Sequence, residues 1–162
     1  MLIHTFCYKL RSNKKLSRVK KFDLTYSTPG EIDNIADKLR FYRHQNKLSQ
    51  NDLACLLNVD RTVYSRYESG KNDYCPIDRM QKVADFYQIP ITDLLDEYNL
   101  FIYHGQAEGF KQLRKSLCLS LSDVAERLNV NLAVVKRWSQ EVTRLPKSAL
   151  EQLLDMKKAV NR

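Results

Sequence analysis

Residues 48–70 read LSQNDLACLLNVDRTVYSRYESG, and the rest of the chain is read outward from this stretch. Ser49 is a good helix N-cap, because its hydroxyl can accept from an orphan amide of the first turn, and Asp52 sits three residues on beside the positive helix end. Leu53, Ala54 and Leu57 then fall on one helical face. Asn58 follows at the helix end, where Asn tolerates the left-handed conformation that reverses a chain, and Val59 is the apolar plug under the turn. Asp60 is expected to cap a second short helix. Within it Tyr64 and Tyr67 lie three apart and can face a core, which leaves Arg61, Thr62, Ser65 and Arg66 outward. Two short helices joined by so tight a turn must cross steeply, so the second can stand proud of the body.

This pattern resembles the helix-turn-helix of the Xre/Cro family of bacterial and phage repressors. The resemblance runs without a gap from about Glu31 to Leu100 and is carried by Gln50, Ala54, Val59, Ser65, Arg66, Tyr67, Glu68 and Gly70. It implies a lambda-repressor-like bundle that binds double-stranded DNA. In such a bundle Gln50 touches phosphate, Arg61, Thr62, Ser65 and Arg66 approach base edges, and Arg43 and Glu68 form an internal ion pair. Lys71 and Asn72, in the loop after the Gly70 stop, are further candidates for phosphate contact. Arg66 could instead be a solvated helix residue. Base contact is favoured, since Arg bidentate to guanine is the commonest specific contact.

Flanking periodicity supplies the remaining elements. From Glu31, Ile32, Ile35, Ala36, Leu39 and Tyr42 recur at helical spacing, which predicts a helix ending near Asn46. Pro76 is placed to open a fourth helix with Ile77, Met80, Val83, Ala84 and Tyr87 inward. Pro90 starts a fifth with Ile91, Leu94, Leu95 and Tyr98.

The second half then repeats the first. A shift of 71 residues pairs Arg43 with Arg114, Ser49 with Ser120, Asp52 with Asp123, Ala54 with Ala125, Asn58 with Asn129, Val59 with Val130 and Arg66 with Arg137. Tyr67 meets Trp138, whose spacing with Val134 and Val135 predicts burial. Phe110, Leu113 and Leu117 supply the first helix of this unit, and Pro146 opens its last, with Ala149, Leu150, Leu153, Met156 and Val160. The fold class expected is all-α: two tandem lambda-repressor-like helix-turn-helix units, each a bundle of four to five short helices. Residues 1–30 form a basic arm, 31–100 the DNA-binding domain and 101–162 a divergent second unit, with a junction near Tyr98 to Gly105.

The second unit departs from the first where function is concerned. Leu121 stands at Gln50, Ser139 at Glu68, and Leu132 and Ala133 at Arg61 and Thr62; Gln140 is read in the place of Gly70. Losing the counterpart of Glu68 leaves Arg114 without the partner the resemblance implies. Leu and Ala can touch a thymine methyl but cannot make bidentate contacts to purines. Asn131, Lys136 and Arg137 are the candidates for DNA contact here, with phosphate favoured over base reading.

Charge is divided along the chain. Of the net +8, residues 1–30 carry +6, residues 31–100 carry −3 and residues 101–162 carry +5. The best recognition unit therefore depends on local placement of Arg and on basic flanks. Nucleic acid is the obvious polyanion. The run Lys9, Arg11, Lys14, Lys15, Arg18, Lys20 and Lys21 reads equally as an arm along DNA phosphates and as a solvated tail.

Several classes are disfavoured. Four Gly and four Pro argue against a turn-rich all-β fold. Cys7, Cys55, Cys75 and Cys118 lack ligand spacing and read as small buried residues of a reducing cytoplasm, so neither metal nor cofactor is expected. His4, His44 and His104 are scattered, and no phosphate loop, HExxH or nucleophile elbow points to an enzyme. No apolar run approaches the ~18 residues a spanning helix needs, and MLIHTFCYKL lacks a small-residue cleavage site. The function expected is a sequence-specific DNA-binding regulator, a repressor acting through the helix at about 60–68. The alternative is an antitoxin-like interaction protein whose C-terminal unit, residues 101–162, binds a protein partner or dimerises.

Overall fold

Side-chain caps and left-handed single residues punctuate this chain. The computed structural model describes Tyr26 and residues 28–160, so the basic run Lys9–Lys21 and Cys7 lie outside the described residues. A short 3₁₀ turn, Pro29–Glu31, precedes α1 (Ile35–Gln45), α2 (Gln50–Leu57), α3 (Arg61–Glu68), α4 (Ile77–Tyr87) and α5 (Ile91–Leu94). Then follow α6 (Glu97–Tyr103), α7 (Gln106–Ser116), α8 (Leu121–Arg127), α9 (Leu132–Ser139) and α10 (Lys147–Val160). The fold is all-α, with no strand among the described residues.

Ser49 caps α2 through a reciprocal capping box: its hydroxyl accepts from the Asp52 amide while the Asp52 carboxylate accepts from the Ser49 amide at 2.7 Å. Ser120 and Asp123 repeat this box at α8, again at 2.7 Å. The backbone repeats as well. Lys47, Asn58 and Gly70 adopt φ of 55°, 53° and 67°, and Cys118, Asn129 and Glu141, each 71 residues on, adopt 53°, 51° and 56°. Glu141 rather than Gln140 is therefore the counterpart of Gly70. It carries a side chain where glycine is the low-strain choice, and its carboxylate accepts from the Ala107 amide at 2.7 Å, satisfying an orphan donor at the start of α7.

Two apolar clusters fill the fold. Leu39, Leu53, Tyr64, Met80, Val83 and Leu94 are fully enclosed in the first, and Phe110, Val124, Val135, Leu145 and Leu153 in the second. Each such side chain contributes about 1.5–3 kcal/mol relative to exposure. Trp138 lies in the second cluster at 4% exposure.

Several elements differ from the periodic reading. The first long helix begins at Ile35, not Glu31, because Asn34 caps it by accepting from the Asp37 amide; Ile32 is buried from extended backbone before the cap. Asp60 holds the N-cap position of α3 but makes no side-chain cap bond. The expected fifth helix is two. Leu95 turns extended at ψ 148°, and Asp96 caps α6 by accepting from the Asn99 amide. Residues 98–105, read as a junction, are thus largely helical, and Tyr98 packs into the second cluster. Val160 is 69% exposed and lies outside the core. Among the described cysteines only Cys75 is buried, with burial pushing its thiol up to about 12; Cys55 and Cys118 are exposed.

Polar side chains join the halves around α6. Asn99, fully buried, accepts from the Cys75 amide at 3.0 Å and donates to the Asp73 carbonyl at 2.9 Å. The Tyr98 hydroxyl donates to the Leu145 carbonyl at 2.8 Å, and the Arg144 guanidinium lies 3.2 Å from the Tyr74 ring centroid. Gln106 does similar work within the second half, donating to the Trp138 and Thr143 carbonyls and accepting from the Leu145 amide.

Candidate nucleic-acid interface

Helix α3 has two faces with different duties. Tyr64, Tyr67 and Glu68 are buried at 0%, 4% and 2% exposure, while Arg61, Thr62 and Arg66 are exposed and Ser65 is half-buried. The spacing of the two tyrosines turns one side into the core, and the residues between them turn outward.

The inner face is held from three other helices. From α1, Arg43 Nε and Nη2 donate to the two Glu68 carboxylate oxygens at 2.6 and 2.8 Å, and Nη1 donates to the Leu48 carbonyl at 3.1 Å. From α2, the Gln50 amide donates to Glu68 Oε2 at 2.8 Å. From α4, Arg79 donates to the Tyr67 hydroxyl, and from α1 Arg40 donates to the Glu68 carbonyl. Burial pushes the Glu68 carboxyl up, but the Arg43 hydrogen bonds and charge outweigh it, so the group sits below its usual range and stays ionised. Burial likewise raises the Tyr64 hydroxyl, which stays neutral beside Glu68.

The outward residues fall into two groups. Ser65, Arg66, Ser69, Lys71 and Asn72 line a surface hollow of about 360 Å³, which brings two of the expected base-reading residues together with the two loop residues. Arg61 and Thr62 sit apart from this hollow, on the first turn of α3. Gln50 is the residue whose role the sequence undersold. Half-buried, it spends an amide hydrogen inside the protein on Glu68, so only the rest of its amide is left for a ligand. Its position eight residues ahead of the Asn58 turn could not reveal that inward bond.

In the second half the same places carry different chemistry. Val135 and Trp138 are the buried residues of α9, while Asn131, Leu132, Ala133, Val134, Lys136 and Arg137 are exposed. The Asn131 side chain accepts from the Ala133 amide at 2.8 Å and so serves as the cap of α9. Leu121 is half-buried and packs against the second cluster. Arg114 Nη1 donates to the Leu119 carbonyl at 2.6 Å, the bond that Arg43 makes to Leu48.

A capped helix, a left-handed single-residue turn and a second helix with its inner face locked and its outer face polar define the helix-turn-helix class. Residues 36–100 match the family model described as a helix-turn-helix domain. No curated protein and no solved structure was found to match the chain. The matched segment contains α3 whole and Lys71 and Asn72, and DNA is the partner that such a domain suggests. No helix among the described residues is long and apolar enough to cross a membrane, and no group of three or more His, Cys, Asp or Glu among them is placed to hold a metal ion.

Proposed function

We propose that the chain is a sequence-specific transcriptional regulator of the Xre/Cro kind, a repressor working in the cytoplasm of a bacterial cell. Residues 31–100 form its DNA-binding unit and residues 101–162 a second unit. Helix α3 enters a major groove, where Arg61, Thr62, Ser65 and Arg66 meet base edges. Lys71 and Asn72 set the register from phosphates beside Arg66, with the remaining hydrogen-bonding capacity of Gln50 adding to them. Repression follows by exclusion of polymerase from the occupied site.

The observation that supports this reading best is the division of α3, with Tyr64, Tyr67 and Glu68 locked inside and Arg61, Thr62 and Arg66 exposed. Base reading needs a helix held rigidly from behind, because a bidentate contact tolerates little rotation. Selection of bound sequences from random duplex DNA with the full chain tests it. The reading expects one enriched motif bound more weakly as salt rises; no enrichment would contradict it.

A second reading gives residues 101–162 a protein-binding role. Leu132 and Val134 are 37% and 36% exposed on α9, beside exposed Ala133, where α3 presents Arg61, Thr62 and Val63. On this reading the second unit pairs two chains or takes up a protein partner, and the selected motif would hold two related half-sites in inverted order if chains pair.

A further inference from the structure

The two halves differ most sharply behind the recognition helices. In the first, Arg43 is oriented by the Leu48 carbonyl and its remaining edge is filled by Glu68. In the second, Arg114 is oriented by the Leu119 carbonyl in the same way, but Ser139 stands at the Glu68 position and its hydroxyl turns back to donate to the Lys136 carbonyl. No carboxylate among the described residues pairs with Arg114.

The missing side chain leaves space. A cleft of about 340 Å³ opens between α7, the start of α8 and the end of α9, lined by Ala107, Phe110, Arg114, Leu121 and Ser139. Glu108 and Lys111 stand at the same cleft, but they are engaged with each other at 3.1 Å, and Gln112 also donates to Glu108. The volume lies at the lower end of small-molecule sites, which begin at about 300 Å³. Its polar feature is a half-buried guanidinium held at one nitrogen, a fork that suits a carboxylate. Leu121 has replaced the polar Gln50 that shares Glu68 in the first half, so the wall beside the fork is apolar.

We propose that this cleft binds a small organic carboxylate. Its carboxyl group takes the place on Arg114 that Glu68 takes on Arg43, and its apolar part lies against Leu121 and Ala107, with Phe110 as the floor beneath them. The site stands apart from α3 and does not depend on the DNA-binding reading.

The experiment uses the full ¹⁵N-labelled chain titrated with phenylacetate, with neutral phenylacetamide and inorganic phosphate as parallel arms. Phenylacetate is expected to give saturable amide shifts at Ala107, Arg114, Leu121 and Ser139, at an affinity about tenfold or more above that of phenylacetamide, since the charge-assisted bond is lost in the amide. Ser139→Glu supplies a carboxylate from within and should abolish those shifts while raising the melting temperature. Arg114→Gln should abolish them without that gain. Equal affinity for the amide, shifts that persist in a folded Ser139→Glu chain, or no saturable shift would each overturn the proposal. Shifts with phosphate and none with phenylacetate would overturn the carboxylate assignment in favour of a simple anion contact.

Discussion

Arg43 grips Glu68 side-on, Nε to Oε1 at 2.6 Å and Nη2 to Oε2 at 2.8 Å, with the carboxylate only 2% exposed. This contact joins α1 to the end of α3, and Gln50 brings α2 to the same carboxylate. Removing one member of such a buried pair leaves the other charge uncompensated, at a cost of about 3–5 kcal/mol. Glu68→Leu is therefore expected to lower the urea midpoint severely. Arg43→Met with Glu68→Leu should recover most of the loss, because both charges are then gone from the interior. Equal destabilisation in the single and double variants would show that the pair is not what holds α3.

The same carboxylate gives stability a pH dependence. Its folded-state pKa lies below the ordinary value of 4.5, so its contribution is fully present above the ordinary carboxylate range and is lost as pH falls through the depressed folded value. Denaturation measured across acidic pH should show stability falling below about pH 4.5, with a shallower fall in Glu68→Gln, which has no proton to take up there. Identical slopes for the two chains would remove Glu68 from the account.

The Tyr98 to Leu145 hydrogen bond, the Arg144 to Tyr74 contact and the Lys147 to Asp96 ion pair at 3.9 Å tie residues 74–98 of the first half to residues 144–147 of the second. Trp138 is the single tryptophan of the chain and sits in the second cluster, so its fluorescence reports that half while far-ultraviolet circular dichroism reports all helices. The two urea transitions should coincide, and Asn99→Leu should weaken both, since the Cys75 amide and Asp73 carbonyl lose their partner at about 1–3 kcal/mol each. A tryptophan transition well separated from the dichroic one would mean that the halves unfold independently.

Local chemistry made much of this fold legible in advance. Ser49, Asp52 and Asn58 announce a capped helix and its left-handed exit, and their recurrence as Ser120, Asp123 and Asn129 announces the second copy. What stayed hidden depends on partners far along the chain. Ile91, Leu94, Leu95 and Tyr98 have the spacing of one helix, yet the chain breaks at Leu95 because Asp96 is available to cap a new start. Asn99 and Gln106 look like ordinary surface residues until the loops at 73–75 and 138–145 close over them. Gln50 likewise has a polar side chain at a helix start, and only the assembled bundle shows it bonded inward to Glu68.

The central claim is that α3 reads bases through its exposed side chains, and the most direct measurement is an affinity profile. Wild-type chain and Arg66→Ala are compared on a selected duplex and on all its single-base variants at fixed salt. Arg66→Ala is expected to lose discrimination at one position, by about 1–3 kcal/mol, and to keep it at the others. A loss spread evenly over every variant would make Arg66 a phosphate contact, and an unchanged profile would contradict base reading by this face of α3.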